Sequence, residues 1–91
     1  MRGFPLQTFS FQSMFVYILE SLKDGKHYIG CSGDVDKRLD RHNKGGVKST
    51  RNRIPLKLIY KEEVFSYRDA RKRETELKKM KGGFQLKELL N

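Results

Sequence analysis

Hydrophobic positions along the chain follow two rhythms, one suited to strands and one to helices. The run Met14 to Glu20 (MFVYILE) is dense in β-branched and aromatic residues and predicts a strand. Asp24-Gly25 is a two-residue hairpin signal, because glycine accepts the positive φ that such turns require. His27 to Cys31 (HYIGC) is the returning strand. With Asp24 and Gly25 at the centre of the turn, facing positions sum to an odd number. Tyr17 and Tyr28 must then project from the same side of the sheet.

A helical rhythm follows, opening near Ser32 or Asp34 and ending at Gly45-Gly46. At roughly 100° per residue, Val35 and Leu39 mark its apolar side, with Asp36, Lys37, Asp40 and Lys44 opposite. Arg38 and His42 lie one turn apart beside the Val35–Leu39 stripe and so face the body of the protein. Val47 to Pro55 reads as a basic loop, and Leu56 to Tyr60 (LKLIY) as a strand continuing to about Phe65. Ser66 and Asp69 form a capping-box-like start to a second helix, which runs to about Met80 and is broken by Gly82-Gly83. Tyr67, Ala70, Leu77 and Met80 mark its apolar flank; Glu74 falls on that flank, and Glu76 with the solvated cations. A last short helix, Phe84 to Leu90, offers three leucines to the core. The expected fold is α+β: a small three-stranded antiparallel sheet flanked by helices, in the order β-β-α-β-α-α. Residues 1–13 lack acids and sustained periodicity and read as an N-terminal extension to a domain spanning 14–91.

Composition narrows the function. The chain has 91 residues, room for one domain with a modest core. Twenty Lys and Arg against eleven Asp and Glu give a formal charge of +9, which favours a polyanionic partner, with nucleic acid ahead of an anionic membrane surface. The single cysteine, Cys31, excludes an internal disulfide and a thiolate zinc site, and suits a reducing, cytoplasmic compartment. No apolar run approaches the roughly 18 residues of a membrane span, and residues 1–13 lack the apolar core of a signal peptide. Lys48, Arg51, Arg53 and Lys57 form a candidate phosphate-contacting patch, and Lys72, Lys78, Lys79 and Lys81 a second basic stripe. No base-reading motif accompanies them, so sequence specificity should be weak and a targeting protein could select the substrate.

Two same-face tyrosines, an inward Arg–His pair and a later inward glutamate make a constellation that resembles the GIY-YIG nuclease superfamily. Tyr28-Ile29-Gly30 matches the second motif verbatim, and Phe15-Val16-Tyr17 stands where the first would be, keeping its tyrosine and losing its glycine. Eleven residues lead from Tyr17 to Tyr28, ten more to Arg38 and four more to His42, as in the family. Glu74 lies in RKRETELKKMKG, where the family places its metal-binding glutamate. The likeness spans Met14 to about Leu90 and is nearest to small single-domain members related to the nuclease module of the bacterial excinuclease C subunit. Cys31 departs from it, standing where excinuclease-type modules often carry a lysine that assists the base. The late asparagine of some members has no clear match, since Asn91 is terminal.

The resemblance implies an endonuclease hydrolysing phosphodiester bonds in DNA, structure-selective, with a role in DNA repair or recombination. It implies one Mg²⁺ or Mn²⁺ held mainly by Glu74, Arg38 clamping the scissile phosphate, and Tyr17 and Tyr28 orienting or deprotonating the attacking water. A phenol with a pKa near ~10 is a poor base unless nearby cations depress it, which Arg38 and the metal could do. Which tyrosine is the base stays open. His42 could transfer protons or simply bond a carbonyl at its helix end. The structural readings are an ion pair of Glu74 with Lys78 or Arg71, an ion pair of Arg38 with an acid, and core tyrosines with wet hydroxyls. Two other functions fit the same charge: a nucleic-acid-binding module with the nuclease fold but little cleavage, and a structural basic protein of a ribonucleoprotein.

Overall fold

The structure, a computed structural model, describes residues 14–80. The proposed N-terminal extension and the helix expected at Phe84–Leu90 lie outside the described residues. Three strands, β1 (Met14–Ser21), β2 (His27–Ser32) and β3 (Leu56–Val64), form one antiparallel sheet in the order β2-β1-β3. Two helices, α1 (Val35–Asn43) and α2 (Tyr67–Met80), pack on opposite faces, giving the α+β fold read from the sequence. The central strand β1 is covered on both sides, which is why its apolar run is unbroken: Val16, Tyr17, Ile18 and Leu19 are each at most 1% exposed. Each buried aliphatic side chain of this kind contributes roughly 1.5–3 kcal/mol through removal of its surface from water.

The two faces have separate cores. Tyr17 and Leu19 meet Val35 and Leu39 of α1, with Leu56 and Leu58 of β3. Val16, Ile18 and Ile29 meet Ala70 and Leu77 of α2. In the hairpin, Tyr17 faces Gly30 and Leu19 faces Tyr28, so the turn centres between Lys23 and Asp24, one residue before the Asp24-Gly25 pair. Moving the centre by one residue moves every pairing by two, so parity is kept and both tyrosines stay on the α1 face. Gly25 still serves the turn, at φ 75°, where its amide donates to the Ser21 carbonyl.

Other joints fix the helices to the sheet. Asp34 caps α1 by accepting from the Lys37 amide at 3.0 Å. At the far end, the Asn43 side chain donates to the Leu56 carbonyl and accepts from the Leu56 amide, tying α1 to the start of β3. The predicted basic loop contains a 3-10 turn, Arg51–Arg53. A bulge at Ile59 breaks the β1–β3 register between Ile18 and Leu19. The strand stops at Val64, and Phe65 is 85% exposed. Ser66 Oγ accepts from the Asp69 amide, as the capping pattern predicts. Tyr67 departs from its predicted apolar flank: it is 60% exposed in the first turn of α2, its hydroxyl accepting from Arg71. Glu76 is not merely solvated, since it pairs with Arg73, which also bonds Glu62 of β3. Among the described residues, no helix is long and apolar enough to cross a membrane.

Candidate active site

Gly30 brings the two tyrosines together. A Cβ built at that position would stand 2.8 Å from the Tyr17 Oη and 3.0 Å from both Tyr17 Cζ and Tyr28 Cε2. The ring of Tyr17 therefore lies over bare backbone, and only glycine leaves room for it. Tyr17, Tyr28 and His42 form one aromatic cluster, with centroids 6.4 Å apart for Tyr17–Tyr28 and 4.9 Å for Tyr28–His42. Gly30→Ala should destabilise the fold by about 1–3 kcal/mol, the cost of an overpacked site that must move a buried ring. Urea unfolding monitored by circular dichroism checks this, and wild-type stability would show that the cluster repacks freely.

His42 is fully buried, with Nδ1 2.7 Å from Thr50 Oγ1 and Nε2 3.3 Å from the Tyr17 hydroxyl. It is bonded to side chains, not to a helix-end carbonyl. The Thr50 hydroxyl also lies 3.5 Å from the Val47 carbonyl oxygen. The Tyr17 oxygen already meets the Arg38 guanidinium, and its proton needs an acceptor in this dry site. His42 thus bridges Thr50 and the Tyr17 hydroxyl, one ring nitrogen donating and the other accepting. Burial, helped by Arg38 and Arg41, holds the His42 pKa below its ordinary value, so the ring is neutral. Sequence reasoning missed Thr50, which is also fully buried. Its only signal was a threonine inside a run of cations, and no local periodicity tells that this loop folds back onto α1.

Burial pushes the Tyr17 phenol up to about 12, aided by Tyr28; Arg38 pulls the other way and loses. Arg38 alone therefore does not depress the Tyr17 phenol, which is only 1% exposed and stays protonated at neutral pH. Tyr28 is half-buried, and its hydroxyl takes no hydrogen bond among the described residues. Arg38 is half-buried as well, and no ion pair engages it among the described residues.

Glu74 stands across the sheet edge from the tyrosines, on the α2 side. Its side chain is 18% exposed, and Oε2 lies 2.9 Å from Lys78 Nζ, so the ion pair weighed as the structural reading is present. Cys31, on the edge strand β2, joins the two halves. Burial and then the Glu74 carboxylate raise its thiol pKa, while Arg71 and Arg38 oppose them. The Glu74 carboxylate thus neighbours the Cys31 thiol, and the charge of Arg38 is felt at both Tyr17 and Cys31. Among the described residues, no group of three or more His, Cys, Asp or Glu could cage a metal. The donor set fits a hard cation that takes one carboxylate, keeps waters and completes its shell with phosphate oxygens. It does not fit a metal caged by protein before substrate arrives.

Of the loop cations, Lys48 and Arg51 are exposed without ion pairs among the described residues. Arg53 lies 3.9 Å from Asp24, and Lys57 lies 3.9 Å from Glu20, so each is partly neutralised.

The family model described as "GIY-YIG catalytic domain" matches residues 13–87. The chain belongs to the GIY-YIG family. Its relatives include small GIY-YIG members named UPF0213 proteins. One from Streptococcus pneumoniae is 44% identical over 68 residues, covering 74% of this chain and 68% of its own. Another from Staphylococcus saprophyticus is 42% identical over 65 residues, covering 70% and 78%. The solution NMR structure of the UPF0213 protein BH0048 from Bacillus halodurans aligns with TM-score 0.50 and 39% identity, over 86% of this chain and 81% of that one. Membership of this family implies a nuclease superfamily and a nucleic-acid substrate, and GIY-YIG nucleases are generally metal dependent.

Proposed function

We propose that this GIY-YIG protein is an endonuclease that hydrolyses phosphodiester bonds in DNA with Mg²⁺ or Mn²⁺, acting on structured substrates in repair or recombination. The observation that supports it most is Arg38. A half-buried arginine with no carboxylate partner among the described residues, set against a tyrosine hydroxyl, is a guanidinium kept for an anion from outside. Its planar fork matches two oxygens of one phosphate.

Tyr17 is the positioning residue in this reading: its buried hydroxyl is bonded to His42 and neighbours Arg38. Tyr28, half-buried and with a hydroxyl free of protein bonds among the described residues, is the one that meets the attacking water. A cation at Glu74 would neutralise phosphate charge and favour departure of the leaving oxygen. Lys48 and Arg51 extend the positive surface for the neighbouring backbone.

One observation favours a second reading, a binding module with little cleavage: Glu74 carries an ion pair with Lys78. Incubation with supercoiled plasmid, branched DNA and single strands separates the two. Nicking or cleavage with Mg²⁺ or Mn²⁺, abolished by EDTA, is the expected result. Retained binding with no cleavage of any substrate would establish the module instead. A targeting protein is part of this proposal, because the basic surface carries no base-reading element.

A further inference from the structure

We infer that the groove along α1, rather than the basic loop alone, carries the DNA strand away from Arg38, and that Arg41 is a phosphate-binding residue of that groove. This rests on the nuclease reading above and deepens it. The groove has a volume of about 480 Å³ and runs from Ser32 at the end of β2, past Arg38, to Gly46 beyond α1. Four cations line it, Lys37, Arg38, Arg41 and Lys44, against two acids, Asp34 and Asp40. Asp34 caps α1, and Asp40 pairs within the groove with Lys44 at 2.8 Å, which spends one of the four cations. Lys37 and Arg41 make no ion pair among the described residues, so the groove offers unspent positive charge next to the candidate clamp.

Arg41 is also held in place. The Gly46 amide donates to the Arg41 carbonyl at 2.9 Å, and a Cβ at Gly46 would stand 3.0 Å from Arg41 Cγ and 3.2 Å from its carbonyl oxygen. The arginine stem thus lies flat on bare backbone, with its guanidinium on the groove wall. Arg38 and Arg41 are three residues apart on one helix, neighbours on its surface. A strand clamped at Arg38 meets Arg41 at its next phosphate. A single polyanionic strand fits this linear array of cations better than an isolated anion does, and the surplus of basic residues on the chain agrees.

The test is fluorescence anisotropy of a labelled DNA oligonucleotide in EDTA across a NaCl series. Arg41→Gln is compared with Arg68→Gln, which removes the same charge from exposed α2 on the other face of the sheet. Arg41→Gln should weaken binding about 5- to 10-fold at low salt and lower the slope of log affinity against log salt by about 1. Arg68→Gln should change affinity less than 2-fold. Gly46→Ala removes no charge yet should weaken binding in the same direction, by lifting the Arg41 stem. Thermal melts confirm that each variant is folded. If wild type binds and Arg41→Gln matches Arg68→Gln, the groove assignment is overturned and the nuclease reading stands. If wild type binds neither single-stranded nor duplex DNA, both fall. Tighter binding of RNA than of DNA would overturn the assignment of the groove to a DNA strand.

Discussion

Arg38→Ala should abolish DNA cleavage while leaving the fold almost untouched. Loss of one preorganised donor to a developing negative charge typically costs about 10²- to 10³-fold in rate, and a guanidinium supplies two donors. The stability cost is small because Arg38 is half-buried and engages no ion pair among the described residues, so nothing charged is stranded by its removal. Only its approach to the Tyr17 hydroxyl is lost, worth about 0.5–1.5 kcal/mol, or a few degrees of melting temperature in a domain this size. Arg38→Lys separates charge from geometry: an ammonium keeps the charge and loses the fork, and should restore part of the rate only. Single-turnover cleavage and thermal melts of the three proteins make the measurement. A loss above about 3 kcal/mol would reveal a structural role instead, of the kind seen when one partner of a buried pair is deleted.

Much of this site is legible in the sequence because it depends on short-range periodicities. The alternation of a strand places Tyr17 and Tyr28 on one face whatever the loop does, and the actual turn, centred one residue early, leaves that conclusion intact. Helical spacing turns Arg38, His42 and Glu74 inward. The separation of the site across two sheet faces was not legible, because nothing local states which face each helix covers. The same applies to the Thr50–His42 bond, which depends on how a basic loop docks on α1. The balance of burial against Arg38 at the Tyr17 phenol was not legible for a related reason. Proximity to Arg38 was readable from spacing, but the completeness of burial that outweighs it is a property of the packed core.

Cys31 follows the same lesson. As the residue after Tyr-Ile-Gly it reads as a small packed side chain, yet on edge strand β2 it neighbours the Glu74 carboxylate and feels the charge of Arg38. Where excinuclease-type modules often place a lysine, this chain puts a thiol whose burial and carboxylate neighbour keep it protonated. It adds no positive charge beside Glu74; in the proposed reaction Arg38 would then bear more of the phosphate's charge.

That balance sets the expected outcome at Glu74. Glu74→Gln should lower cleavage at least 100-fold at millimolar Mg²⁺ while DNA binding in EDTA is unchanged or tighter, because a negative charge leaves a surface that meets phosphate. The rival account is that Glu74 exists to pair with Lys78. An i,i+4 pair with an exposed lysine is worth about 0.3–0.5 kcal/mol, too little to withhold the carboxylate from a divalent cation. Lys78→Gln should accordingly cost less than 1 kcal/mol of stability and leave the cleavage rate within about 3-fold of wild type, with an equal or lower Mg²⁺ requirement. Rates across a Mg²⁺ titration, with urea unfolding of each variant, distinguish the accounts. Full activity in Glu74→Gln would remove the glutamate from the reaction and return it to the helix surface as one half of a salt bridge.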